Sequence, residues 1–166
     1  PYSANPRDVY FYTSNSDAND IQYNSLQECI NAGHNDCTHY HAGNYYNWSA
    51  AVANNDTSSL TSSDAPNSVC PRGWRLPKNS SNYEFQKLTD TYNINIGNVL
   101  VLRDQPLYFV RAGFLTLGYF RYLGDYWSNT PNGASNARHL TFNPTALDRN
   151  NSNNKSLGFS VRCLAR

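Results

Sequence analysis

Hydrophobic residues fall in two rhythms along the chain, and the change comes near Val99. Before it, apolar positions recur at helical spacing in three short stretches. "SLQECINAG" places Leu26, Cys29 and Ile30 on one face and stops at Gly33, where a left-handed residue ends a helix. "NWSAAVA" offers Trp48 and Val52 to a core. In "NSSNYEFQKLTDTY", Ser81 and Glu84 have the spacing of a capping box, and Phe85, Leu88 and Tyr92 follow at helical intervals, which predicts a helix over about 82–92. Between the second and third stretches, Pro71 and Pro77 bracket "RGWRL", an extended crossing with Trp74 and Leu76 inward and Arg75 between them.

From Val99 onward the period is two. "LYFVRAGFL", "GYFRYLG", "DYWSN", "RHLTFN" and "GFSVRCLAR" are short, aromatic or β-branched, and separated by turn residues, as in an antiparallel sheet. The alternation sends Leu140 and Phe142 to the core and His139, Thr141 and Asn143 outward; Phe159, Val161 and Cys163 alternate with Ser160 and Arg162. The two halves make an α+β domain with short helices packed on one side of a twisted antiparallel sheet. The first twenty residues are polar, with one strand-like patch, "VYFY", and no fixed-period repeat appears. One run does not fit. Asn150, Asn151, Asn153 and Asn154 crowd the approach to the last strand, where asparagine gives a core little.

Length and charge narrow the function classes. A chain of 166 residues fits one domain, 1–166. A net charge of +1 lacks the electrostatic footprint that nucleic acid requires, so no nucleic-acid partner is expected. No apolar run approaches the roughly 20 residues that span a bilayer, and "PYSANPRDVYFYTSN" lacks the basic start and apolar stretch of a signal peptide; membrane insertion by this chain is not expected. Only 15% of residues are charged, while Tyr, Ser and Asn abound, a palette suited to binding surfaces. Cys29, Cys37, Cys70 and Cys163 allow three complete pairings, and oxidised pairs place a protein outside the cytoplasm.

Reactive chemistry is hard to find. "HNDCTHYH" gathers His34, Cys37, His39 and His41, but the spacing matches no zinc pattern, and no metal site is assigned. "NTPNG" and "NPTALD" hold too few carboxylates for a calcium cage. There is no phosphate loop, GxSxG or HExxH, so neither a cofactor nor an enzymatic activity is expected. Asn47, Asn55, Asn79 and Asn154 head glycosylation sequons, common by chance in an Asn-rich chain.

Taken in order, "YYNWSAAVA", "SVCPRGWRLP" followed by a helix, "GYF", "DYWSNT", "ARHLTF" and terminal "GFSVRC" resemble the bacterial Fibrobacter-type major paralogous domain, an exported family similar to the C-type lectin fold. The resemblance covers roughly 45–166 and leaves 1–44 as an N-terminal extension. Within these motifs Cys70 and Cys163 hold fixed places that imply a disulfide, which leaves Cys29 to pair with Cys37. The stretch from "YWSNT" to "GFSVRC" is also similar to the variable region of proteins diversified by retroelements that mutate template adenines. That resemblance implies a display surface of Asp125, Tyr126, Asn129, Asn132, Ser135, Asn136, Arg138, His139, Thr141, Asn143, Thr145, Asp148, Asn150 and Asn151. Asn150, Asn151, Asn153 and Asn154 would be template-like, and Asp125, Tyr126, Ser135, Arg138, His139, Thr141 and Asp148 lie within reach of an Asn codon. Tyr119, Tyr122 and Tyr126 would add aromatic contact area, with Trp127 in the frame. The implied function is extracellular or cell-surface binding of a protein or glycan on another cell; a structural subunit of a surface appendage is the alternative. A formylglycine-generating enzyme shares the lectin fold, but fold does not carry function.

Overall fold

The computed structural model describes residues 7–12, 21–23, 26–33, 37–42, 44–53, 65–79, 83–114 and 123–165; in 7–12, 21–23, 26 and 37–42 only the backbone is described. The first elements are β1 (Arg7–Tyr12), β2 (Ile21–Tyr23), α1 (Leu26–Asn31) and β3 (Cys37–Ala42), with β1 central in an antiparallel sheet of order β2-β1-β3. β1 contains the aromatic patch, and α1 ends before Gly33, whose φ of 88° fits the expected stop. Cys29 is fully buried on α1, whereas Ile30, expected beside it, is 47% exposed.

α2 (Trp48–Val52) is a single turn and a half held at both ends. Asn47 accepts from the Ala50 N–H at 2.8 Å, and Ala53 closes the turn with φ 50°. β4 (Trp74–Arg75) pairs with β8 (Leu164–Ala165), close to the Cys70–Cys163 disulfide. Leu76 is buried as expected, but Trp74 is 46% exposed, because the pairing of Arg75 with Leu164 and the ion pair of its guanidinium set the register of this crossing.

α3 (Glu84–Thr91) is the third expected helix, but its start differs. Ser81 lies outside the described residues; Tyr83 precedes the helix at φ 37° without a side-chain cap. Glu84 does not complete a capping box. It accepts two hydrogen bonds from the Arg75 guanidinium, at 2.7 and 2.6 Å, and one from the Lys78 N–H at 2.6 Å. Burial opposes ionisation of this carboxyl, yet the Arg75 hydrogen bonds, the Lys78 N–H and both positive charges outweigh burial and hold it below its ordinary value. Phe85 and Thr89 are buried, Leu88 packs at the core's margin, and Tyr92 is exposed. A 3-10 helix, Ile96–Arg103, follows under an Asn95 cap.

β5 (Gly124–Asn132), β6 (Asn136–Asn143) and β7 (Ala146–Asn154) form an antiparallel meander in that order. "LYFVRAGFL" does not become a strand; over 107–114 only Gly113 makes a bridge, and the positive φ of Tyr108 (47°) and Gly113 (76°) breaks the alternation. Most of "GYFRYLG", with Tyr119 and Tyr122, lies outside the described residues. The asparagine run is itself strand β7.

The meander has a core on each face, so the helices do not share one side. Trp127 and Ala137 pack with Trp48, Ala51 and Val52 of α2, Leu76 and Phe159. Tyr126, Leu140 and Phe142 pack on the other face with Phe85 of α3, Val99, Leu102 and Phe109. Adjacent strand residues point oppositely, so Tyr126 and Trp127 enter different cores. Both Trp N–H groups are satisfied: Trp48 Nε1 donates to Ser128 O and Trp127 Nε1 to Tyr46 O, each at 2.8 Å. Gly124 is required where a Cβ would collide with the Phe142 ring. Cys70–Cys163 joins the segment before β4 to the one before β8, and Cys29 is also disulfide-bonded; the side chain of Cys37, its expected partner, lies outside the described residues. Among the described residues no helix is long and apolar enough to cross a membrane.

Candidate functional site

The register of the meander divides the expected display residues. Asp125 faces Thr141 and Trp127 faces His139 across β5–β6; Thr141 faces Asp148, His139 faces Asn151 and Ala137 faces Asn153 across β6–β7. Register partners share a face, so all these side chains belong to the α2 side of the sheet. Only part of that side is covered. Asp125, His139 and Ala137 are buried, while Thr141, Asn143, Asn151 and Asn153 are half-buried and Asp148 is exposed.

Four of the expected display residues are therefore frame residues. His139 is 1% exposed, packed against Phe159 at 4.7 Å and Trp127 at 5.6 Å, with Nε2 3.4 Å from Asp125 Oδ1. Alternation places it on the outer face as expected, but the 159–160 segment and α2 cover that face here. Asp125 is 2% exposed, and its carbonyl accepts from the Ser160 N–H of the same segment. Tyr126 enters the opposite core; its hydroxyl donates to Val110 O at 2.7 Å and accepts from Val110 N–H at 2.8 Å, and burial pushes its pKa well up. Asn129 is buried where its N–H donates to Pro77 O at 2.9 Å.

The remaining residues sit at the surface with definite local tasks. Asn132, Ser135, Thr145 and Asp148 are exposed, and Asn136, Arg138, Thr141, Asn143, Asn150 and Asn151 are half-buried. Arg138 spans the sheet, donating to Asn150 O at 3.1 Å and Asn132 Oδ1 at 3.4 Å. Asn143 Oδ1 accepts from the N–H and hydroxyl of Thr145 and closes the β6–β7 turn. Asn79, a sequon residue, is fully buried; its amide donates to Arg149 O at 2.7 Å, which makes it a strap rather than a glycan acceptor. Arg149 fastens β7 to α3 through Thr89 Oγ1 at 2.6 Å and to Ile94 O at 2.8 Å.

The asparagine run has a structural use that its polarity concealed. An edge strand leaves alternate N–H groups unpaired. Asp148 Oδ1 accepts from Asn150 N–H at 2.9 Å, Asn151 Oδ1 from Ser152 at 2.8 Å, Asn153 Oδ1 from Asn154 at 3.0 Å and Asn154 Oδ1 from Ser156 at 2.9 Å. The Lys155 N–H between the last two donors points the other way, to Ser135 O. The side chains of β7 thus occupy its own outward backbone donors.

Lys155 locks the other end of the meander. Its Nζ donates to Gly133 O and Ala134 O, each at 2.9 Å, and sits 4.8 Å from the Trp48 ring centroid. Burial lowers its pKa. A strand-period reading had no means of marking this residue, because its partners are turn carbonyls.

A concavity lies along the opposite edge of the sheet. Residue 160 pairs with β5 on the side away from β6, through Ser160 N–H to Asp125 O at 3.1 Å and Trp127 N–H to Ser160 O at 3.0 Å. Beside it is a cavity of about 290 Å3 bordered by Asn44, Tyr46, Tyr108, Tyr126, Ser160 and Arg162, with valines, Ala112 and Cys163 completing the wall. Sequence reading missed it, since its residues come from five separated segments. Among the described residues no group of His, Cys, Asp and Glu is arranged to hold a metal ion. His39 and His41 lie on β3 where side chains are not described, and His34 lies outside the described residues. Neither protein-family models, nor curated proteins, nor solved structures yield a match to this chain.

Proposed function

We propose that the chain is an exported, C-type-lectin-like binding module of the Fibrobacter-type kind, which takes a protein or glycan on another cell through a diversified part of its β5–β6–β7 sheet. The observation that carries this reading is the split within one face. Asp125, Trp127 and His139 are sealed by packing, while Thr141, Asn143, Asp148, Asn151 and Asn153 on the same face remain open to solvent in part or fully. Such a face tolerates exchange at its open positions, since surface substitutions usually cost within about 0.5 kcal/mol. Asn132, Ser135 and Thr145 border it at the hairpin ends. Asp125, Tyr126, Asn129 and His139 are left out of the contact set.

The disulfide Cys70–Cys163 supports an extracellular setting. Cys70 and Cys163 are committed to this bond and supply no thiolate nucleophile. Sequencing the locus in independent isolates tests the reading. The expected result is a near-identical template repeat beside a reverse-transcriptase gene, with differences at template adenines confined to codons of the open positions. Absence of a template repeat, or differences spread evenly over codons for Trp127, Leu140, Phe142 and Phe159, would overturn it.

A further inference from the structure

The cavity beside β5 lies across the sheet from the asparagine strand, and its chemistry is different. Among the described residues Arg162 is the only charged one on its wall. The guanidinium donates to Tyr108 O at 3.1 Å and Leu107 O at 2.5 Å, and stacks over the Phe109 ring at 5.0 Å. Among the described residues it has no carboxylate partner. A guanidinium carries five N–H donors, so these two bonds orient it and leave others available. Ser160 is 7% exposed, and among the described residues its hydroxyl has no hydrogen-bond partner. Asn44 and Tyr46 add a linked amide and phenol, with Asn44 Nδ2 3.4 Å from Tyr46 Oη.

Tyr108 completes the picture at the mouth. It is 48% exposed, and its backbone adopts φ 47°, which a bulky residue seldom does. Arg162 holds its carbonyl in that conformation. Backbone of this kind is found where surrounding structure fixes a residue for a task.

We propose that this cavity is a second ligand site, independent of the diversified face, and that it takes a single sugar ring bearing a carboxylate. One fixed positive charge suits a monoanion that can lie in the plane of the guanidinium, a pairing stronger than a neutral hydrogen bond. A phosphate dianion would retain uncompensated charge, because among the described residues no second cation lines the wall. Ser160, Asn44 and Tyr46 present the mixed donors and acceptors that ring hydroxyls need, and the flat faces of Tyr46 and Tyr108 suit the C–H face of a sugar. The volume of about 290 Å3 lies at the low end for small-molecule sites and limits the occupant to about one ring.

Titration of the purified chain with glucuronate, N-acetylneuraminate, glucose, acetate and inorganic phosphate, followed by calorimetry or NMR shifts, tests this. At least one acidic sugar should bind about tenfold more tightly than glucose, acetate and phosphate, a difference of about 1.4 kcal/mol. Arg162→Gln should abolish the preference over glucose, and Arg162→Lys should restore part of it. If Arg162→Gln fails to fold, Ser160→Ala and Tyr108→Ala each serve instead, with an expected loss of several-fold. Equal affinity for glucose and both acidic sugars, phosphate binding as tight as theirs, or no saturable binding by either acid would overturn the proposal. The assay uses the chain alone, so its outcome does not depend on whether the locus varies.

Discussion

β5 and β7 are each nine residues long, belong to one sheet and are both rich in residues that ordinarily mark turns, yet six positions of β5 are buried and none of β7 is. Composition does not make the difference. β5 has β6 on one edge, the 159–160 segment on the other and a core against each face, so its polar groups are cut off from water and depend on protein partners, which Asp125 Oδ2 lacks. Ser128 shows how: its hydroxyl donates to Arg138 O and its carbonyl accepts from Trp48. Among the described residues only β6 pairs with β7, and the asparagines and Asp148 of β7 turn back on their own backbone. A strand's place in the sheet decides whether a polar side chain is frame or surface.

The sharpest way to break this contrast is to cut the frame on both sides of one register pair. Trp127→Ala should cost about 3 to 5 kcal/mol, as large aromatic truncations in cores do. His139→Ala should cost about 2 to 5 kcal/mol by opening a cavity between Trp127 and Phe159, whereas Asn151→Ala opposite it should cost about 0.5 kcal/mol or less. Urea denaturation of the three variants decides the matter. A mild His139→Ala would mean that β5 and β6 are less sealed than their burial indicates.

Removing the Cys70–Cys163 bond is the next largest perturbation. The two residues are 93 apart in sequence, and Cys70→Ala with Cys163→Ala should lower stability by about 2 to 4 kcal/mol. Mass spectrometry after alkylation under nonreducing conditions should find no free thiol at either position in the native chain.

Acid separates the regions too. Glu84 has a folded pKa below its ordinary value of 4.5, so its contribution is fully present above the unfolded value and is lost as pH falls through the folded one. Hydrogen bonds to a charged group of this kind contribute roughly 1.5 to 3 kcal/mol each at most, and Glu84→Gln should lower stability at pH 7 by about 1 to 3 kcal/mol. The variant should lose less than the native chain between pH 7 and pH 3. Equal pH dependence of the two would show that the Arg75–Glu84 tie is not what acid releases.

The smallest effect belongs to β7. Asp148→Ala, Asn151→Ala and Asn153→Ala should each change stability within about 0.5 kcal/mol, while hydrogen exchange speeds up at the Asn150, Ser152 and Asn154 amides that lose their acceptors. A triple change to valine should also promote self-association through the uncovered edge, measurable by sedimentation.

Much of the frame was legible in the residues. Period-two alternation located β5 and β6, helical spacing located all three helices, and motif position located the disulfide, because each is a local signal. The faces were harder. Alternation says that His139 and Leu140 point apart, but it does not say that both sides of the sheet are covered; that depends on where Phe159 and α2 dock. Likewise Glu84 reads as a capping residue until Arg75, nine positions earlier, is seen to compete for it. β7 was read as surface because its asparagines form no core, and its strand pairing follows from β6 alone. The cavity had no sequence signal, since Asn44, Tyr108 and Arg162 meet only through the fold.

The Cys70–Cys163 link also determines how the molecule answers a mechanical load. Tension applied to the chain before residue 70 and after residue 163 passes through a covalent bond, so β5, β6 and β7, with α3, lie inside a loop that carries none of it. The load falls on the elements outside the loop, β1, β2, α1, β3 and α2, of which α2 is held to the sheet by burial of Trp48, Ala51 and Val52 and by the hydrogen bonds of Tyr46 and Trp48 to 155–159. Under pulling the chain should lengthen by at most its first 70 residues, at about 3.3 to 3.6 Å each and less the loop that the Cys29 disulfide closes, while β5, β6 and β7 stay folded until the Cys70–Cys163 bond is reduced.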